Sequence, residues 1–145
     1  MPASADLPDV NVWLALSAED HPHHGASRRY WESESASQVA FCRVTMLGLL
    51  RLATNTRVMD GRPFDAMGAW SLYRQYLAEP GVEFVGEPAE MDARFALLTE
   101  LVDFPNSRWT DAYLAAFALS GGYRIVSFDS AFLHYPALDL QLLNP

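Results

Sequence analysis

The sequence predicts an α/β fold built on a mostly parallel sheet of about five strands, covered by helices on both faces. Three observations carry that prediction. Short apolar runs at residues 7–10, 38–42, 82–85 and 124–127 lack the polar alternation of a sheet with one wet face. Segments with helical spacing separate them, the order expected of a parallel sheet. The chain has 145 residues, 50% of them hydrophobic and 12% aromatic, enough for the core of one domain of ordinary size. Residues 1–145 are therefore expected to form one domain.

Residues 7–10 read as the first strand, and Val12, Trp13, Leu14 and Leu16 then begin a helix near Asn11. Asp20-His21-Pro22 breaks the chain. Tyr30 and Trp31 lie on an otherwise polar segment, so residues 24–34 predict an exposed amphipathic helix. The second strand is 38–42. Thr45 is the expected N-cap of a buried helix carrying Met46, Leu47, Leu49, Leu50 and Leu52, which ends near Thr54-Asn55. Asp60-Gly61-Arg62-Pro63 marks a loop before a helix over 65–79 with Met67, Trp70, Leu72, Tyr73, Tyr76 and Leu77. Pro80-Gly81 stops it. A third strand at 82–85 precedes a helix over 89–102, in which Met91, Phe95, Leu98 and Leu101 recur at steps of four, three and three. After a loop at 103–107, a helix runs over 109–120 and Gly121-Gly122 ends it. The fourth strand is 124–127 and the fifth 138–142.

All ten basic residues are Arg, against 18 Asp and Glu, for a formal charge of −8. Without a lysine, the chain has no P-loop phosphate site and no Schiff-base nucleophile. The acidic balance argues against broad non-specific binding of nucleic acid, while leaving room for an acid-lined metal site that acts on a phosphodiester. The single cysteine, Cys42, cannot form an internal disulfide and reads as a small buried hydrophobe. The N-terminus lacks the basic region of a signal peptide, and no apolar run approaches the roughly 20 residues of a membrane span, so a cytoplasmic location is expected.

Ligands of an open parallel sheet bind beyond the carboxyl ends of its strands. Asp9 stands at the end of the first strand, Asp129 just past the fourth, and Asp111 in the first turn of the helix from about Trp109. Each alone suits a helix cap or dipole partner. Brought together at one sheet edge, the three carboxylates would repel one another unless a cation sat between them. Mg²⁺ suits such a site because it takes oxygen donors and retains several waters.

The segments Pro8-Asp9-Val10-Asn11-Val12-Trp13-Leu14, Trp109-Thr110-Asp111-Ala112-Tyr113-Leu114-Ala115-Ala116 and Val126-Ser127-Phe128-Asp129-Ser130-Ala131-Phe132 together resemble a PIN-domain ribonuclease of the VapC type. These are toxins of toxin-antitoxin modules. The resemblance spans nearly the whole chain and implies a three-layer α/β/α fold and an endoribonuclease dependent on Mg²⁺ or Mn²⁺. It also implies inhibition by a cognate antitoxin and homodimerisation. By position, Asp9, Asp111 and Asp129 match the family's metal-site acids, and Asn11 and Ser127 match polar residues that support them. One departure stands out. Where many members carry a further glutamate, this chain has Met46, whose thioether is no ligand for a hard cation. Glu87, after the third strand, reads as a solvated loop acid rather than its replacement. The departure motivates an alternative reading, a PIN-fold protein that binds RNA or a partner with little catalysis; a third reading is a phosphatase or DNA nuclease on a similar sheet.

Other features read more simply. Asp20, His21, His23 and His24 are dense donors, but Pro22 disrupts any helix through them and the spacing does not match a zinc site; Asp20 is able to cap the following helix. The ten arginines are scattered. Arg108, beside Trp109 and near Asp111, is the first candidate for phosphate contact, with Trp109 a candidate stacking surface for which core packing is the favoured reading.

Overall fold

The computed structural model describes residues 5–145. Its sheet has five strands, all parallel: β1 (Ala5–Pro8), β2 (Gln38–Phe41), β3 (Val82–Phe84), β4 (Arg124–Ser127) and β5 (Leu140–Leu142), in the order β3-β2-β1-β4-β5. Helices α1 (Val10–Ser17), α2 (His24–Arg29), α3 (Arg43–Ala53) and α4 (Ala66–Ala78) lie on one face, and α5 (Met91–Thr99) and α6 (Trp109–Gly121) on the other. This is the α/β architecture expected, with its three layers.

Strand residues alternate between the two cores, as a pleated strand requires. Leu7, Ala40 and Ile125 pack against Leu114, Ala115 and Ala118 of α6. Val39 and Phe41 face Trp13, Met46, Leu49 and Tyr73. The Trp13 and Phe41 rings stack at 3.9 Å. α6 is alanine-rich on its buried side, which brings its backbone close to the sheet, and Gly122 ends it in the left-handed region with φ 76°. Gly48 of α3 stands against Val10, so that even one added methyl would collide with the first residue of α1.

Asp6 is the unexpected centre of β1. It is fully buried, yet an acid in a strand is costly to desolvate unless it is paired. The Arg124 guanidinium donates to both of its oxygens at 2.8 and 3.0 Å, the Tyr30 hydroxyl donates at 2.5 Å, and the Ala36 N–H donates at 2.9 Å. Asp6 and Arg124 are also register partners in the sheet.

Several local expectations change. The first strand ends at Pro8 rather than residue 10, because Asp9 leaves the sheet to cap α1. Residues 24–34 are not an exposed helix: α2 widens into a π-helical segment over Tyr30–Glu34, and Tyr30 is fully buried so that its hydroxyl can reach Asp6. α2 begins after His23 with no side-chain cap, so Asp20 does not perform that role. The cap of α3 is Cys42, which is buried; Thr45, in the first turn, reaches back and accepts from the Cys42 N–H at 3.1 Å. The helix expected over 89–102 is shorter, and Leu101 and Val102 beyond its end are exposed. No helix among the described residues is long and apolar enough to cross a membrane.

Breaking a buried ion pair strands the remaining charge. Arg124→Ala is expected to cost about 3 kcal/mol of folding free energy, read as a lowered urea midpoint. An unchanged midpoint would remove the pair from the forces that hold the sheet.

Candidate active site

The candidate acids gather at the carboxyl edge of β1 and β4. Asp9 follows Pro8, and its N–H donates to the Val126 carbonyl at 2.8 Å, extending the β1–β4 ladder by one bond. The chain then turns into α1. Asp9 caps that helix by accepting from the Val10 N–H at 2.8 Å, while its other oxygen accepts from the Ser127 hydroxyl at 2.9 Å. One carboxylate is thus fixed from both sides.

Ser127, the fully buried last residue of β4, is the hub of this edge. Its hydroxyl oxygen also accepts from Asn11 Nδ2 at 3.3 Å and from the Asp129 N–H at 2.9 Å. Asn11 Oδ1 in turn accepts from the Phe128 N–H at 3.5 Å. Asp129 caps the short 3₁₀ turn Ser130–His134 by accepting from the Ala131 N–H at 2.9 Å. The Phe128 ring is held on its far side by a stack with His23, 4.5 Å between centroids. Ser127 thus bonds the Asp9 carboxylate and the Asp129 N–H, and Asn11 bonds Ser127 and the turn between them.

Asp111 comes from a third element, the first turn of α6. Burial first, then the charges of Asp129 and Asp9, raise its carboxyl to about 6, with Arg108 opposing the rise. Asp9 is raised too, chiefly by burial and further by Asp129, against the hydrogen bonds from Ser127 and Val10. The electrostatic coupling places the three carboxylates in one field. They are all hard oxygen donors, and their mutual repulsion is the property a divalent cation relieves. Among the described residues, no group of three or more His, Cys, Asp or Glu side chains stands close enough together, as they lie, to hold a metal ion. A cation bound at this edge would keep much of its own water, as Mg²⁺ does.

Residues 7–138 match the family model of the PIN domain. The chain belongs to the PIN-domain family. Its sequence relatives include Ribonuclease VapC41 of Mycobacterium tuberculosis, 39% identical over 142 residues that cover 94% of this chain and 97% of the relative. Ribonuclease VapC39 of the same organism is 29% identical, covering 86% and 88%. Among solved structures, M. tuberculosis VapC20, described as a sarcin-ricin-loop-cleaving toxin, superposes with a TM-score of 0.67 at 18% identity, covering 90% of this chain and 94% of that one. The Rickettsia felis VapBC2 complex, bound to a promoter DNA fragment, gives 0.67 at 14% identity, covering 97% and 99%. At those identities the two structures speak for the fold.

In this PIN domain Met46 is almost completely buried among Trp13, Phe41 and Leu49, and Arg43 Nη1 lies 3.6 Å from its sulfur. Its side chain serves the core. Glu87 is exposed, as expected, and accepts from the Tyr113 hydroxyl at 2.7 Å. The histidines do not assemble a metal centre. Trp109 departs from expectation: it is 47% exposed rather than in the core, with the rings of Phe95 and Phe104 edge-on beside it. Tyr135 was missed altogether. Its hydroxyl feels the charges of both Asp111 and Arg108, although 24 residues separate it from Asp111 in sequence.

Without metal, the fold binds the Asp111 proton up to about pH 6, and the unfolded chain only to about 3.8. The folded state then holds more protons between these values, so stability falls as pH rises through that window. Asp111→Asn is expected to remove much of the fall. Allowing for its half-exposed side chain, the gain is about 1 kcal/mol above the window and none below it, checked by chemical denaturation across pH.

Proposed function

We propose that this PIN domain is a metal-dependent endoribonuclease acting as the toxin of a toxin-antitoxin pair. The observation that carries the reading is the placement of Asp9 and Asp129 on one hydroxyl, that of Ser127, at the carboxyl edge of the sheet, with Asp111 raised first by its burial and then by the charges of those two acids. The VapC relatives supply the substrate class and the antitoxin partner; M. tuberculosis VapBC-5 is a further toxin-antitoxin structure of the same fold, with a TM-score of 0.57 at 17% identity, covering 98% of this chain and 99% of that one. A homodimer belongs to the same proposal.

Asp9, Asp111 and Asp129 would hold Mg²⁺, or Mn²⁺ in its place. When bound, the ion lowers the pKa of a water and offsets the charge that develops on phosphate. The chain's own residues do the positioning. Ser127 and the Val10 N–H each hold one oxygen of Asp9, so that carboxylate presents a fixed direction to the site. Asn11 and Ser127 fix the turn that carries Asp129. Asp111, raised while the site holds no cation, would give up its proton as the ion binds and join Asp9 and Asp129 as an oxygen donor.

Asp9→Asn keeps a helix-capping side chain while losing the charge. It is expected to lower cleavage of a total RNA pool by about a hundredfold or more. Ser127→Ala should lower it about 10- to 100-fold through the loosened acid. Mg²⁺ should raise the melting temperature of the unmodified chain and not that of Asp111→Asn. RNA binding without fragments, in the presence of either metal, would instead favour the non-catalytic reading that Met46 motivates. Faster turnover of DNA or a phosphomonoester in competition would overturn the substrate class.

A further inference from the structure

The one exposed tryptophan next to the candidate acids has company that a core residue would not need. Trp109 opens α6, and its ring is braced edge-on by Phe104 at 4.9 Å and Phe95 at 5.9 Å, leaving nearly half of the residue in solvent. Tyr113, one turn further along the same side of α6, also meets Phe95, at 5.7 Å. The result is a stiff aromatic ledge. Arg108 precedes it in the chain, closing the 3₁₀ turn Asn106–Arg108 three positions before Asp111. Its charge reaches Asp111 and the Tyr135 hydroxyl, and it forms no ion pair among the described residues. An unpaired guanidinium beside an exposed indole presents the two elements that single-stranded nucleic acid needs: a cation for phosphate and a flat face for a base.

We propose that Arg108 and Trp109 form the subsite for an unpaired nucleotide flanking the scissile phosphate, with Arg108 on its phosphate and Trp109 stacked on its base. Trp109 and Asp111 are two positions apart, about 200° round α6, so the stacked base lies across the end of the helix from the acids and not over them. The substrate must then offer a base free of its partner next to the cleavage point, which selects loops and single strands over duplex. Arg108 and Trp109 are substrate-positioning residues in this scheme. The proposal rests on the ribonuclease reading above, yet it concerns binding and can be tested without turnover.

The probe is a random-sequence single-stranded 12-mer RNA, with its duplex form as the comparison. Calcium replaces magnesium to slow hydrolysis, and affinity is read by fluorescence anisotropy across a salt series. The unmodified chain is expected to prefer the single strand. Trp109→Ala should weaken that binding about 10-fold, Trp109→Phe should retain most of it, and neither should change the slope of log affinity against log salt. Arg108→Ala should reduce that slope by about 0.7, the loss of one contact to single-strand phosphate, while Arg108→Lys keeps it. Circular dichroism melts verify that each variant is folded. Failure of the unmodified chain to bind single strands, equal affinity for duplex, or Trp109→Ala and Arg108→Ala behaving as the unmodified chain would overturn the subsite. Cleavage by the unmodified chain together with any of these results would leave the ribonuclease reading standing alone; the expected binding pattern without cleavage would do the reverse.

Discussion

Asp6 and Arg124 pair inside the sheet, and much of the molecule is arranged around that pair. Strand register is a discrete variable: a slip by one residue would turn every side chain to the opposite face. With Asp6 opposite Arg124, a slip would also separate a buried carboxylate from its only cation. The pair therefore selects one alignment of β1 on β4. That alignment puts Pro8 opposite Val126, so the next residue, Asp9, reaches Ser127. Tyr30 and the Ala36 N–H close the remaining acceptor positions of Asp6, which ties the π-helical segment and the approach to β2 to the same point.

A fixed register is what lets a site be assembled from residues more than a hundred positions apart. Asp9, just past the end of β1, and Ser127, the last residue of the adjacent β4, meet at the sheet edge; Asp111 arrives on the helix that covers it. The repulsion among these carboxylates is a local cost, and the fold bears it because the surroundings are over-determined. α1 is seated closely on α3 at Gly48, Ser127 is buried with its hydroxyl fully engaged, and Phe128 is clamped by His23. Pre-organised charge of this kind need not rearrange when a cation or phosphate arrives.

The class of the fold was legible because covered parallel strands are apolar in consecutive residues, and these runs alternate with helical spacing. The three acids were legible for a related reason: chain direction puts residues after parallel strands, and before the helix that follows, at one edge. Asp6 was not. An acid one position before an apolar run reads as the polar end of a leader, and its partner is 118 residues away, beyond any local pattern. Tyr30 was misplaced with it, since its burial follows from distant partners, the ring among Val12, Val126 and Leu143 and the hydroxyl on Asp6, rather than from its helical neighbours. Cys42, buried as expected, takes the cap of α3 in place of Thr45, a difference of one turn to which hydrophobic periodicity is blind. Trp109 shows the limit most plainly. The spacing of the helix that carries it says which side of α6 it occupies, but its exposure depends on what packs beside it from elsewhere in the chain.

The two edges of the sheet have a consequence of their own. β3 and β5 are each three residues long, so neither offers the run of free backbone groups on which an incoming strand could register. The open sides are poor templates for extension, which guards a parallel sheet against pairing with other chains. It also decides how recognition has to work here. Whatever meets this protein must read side chains presented by helices and turns, where specificity is written residue by residue, and not the generic hydrogen-bonding pattern of a backbone.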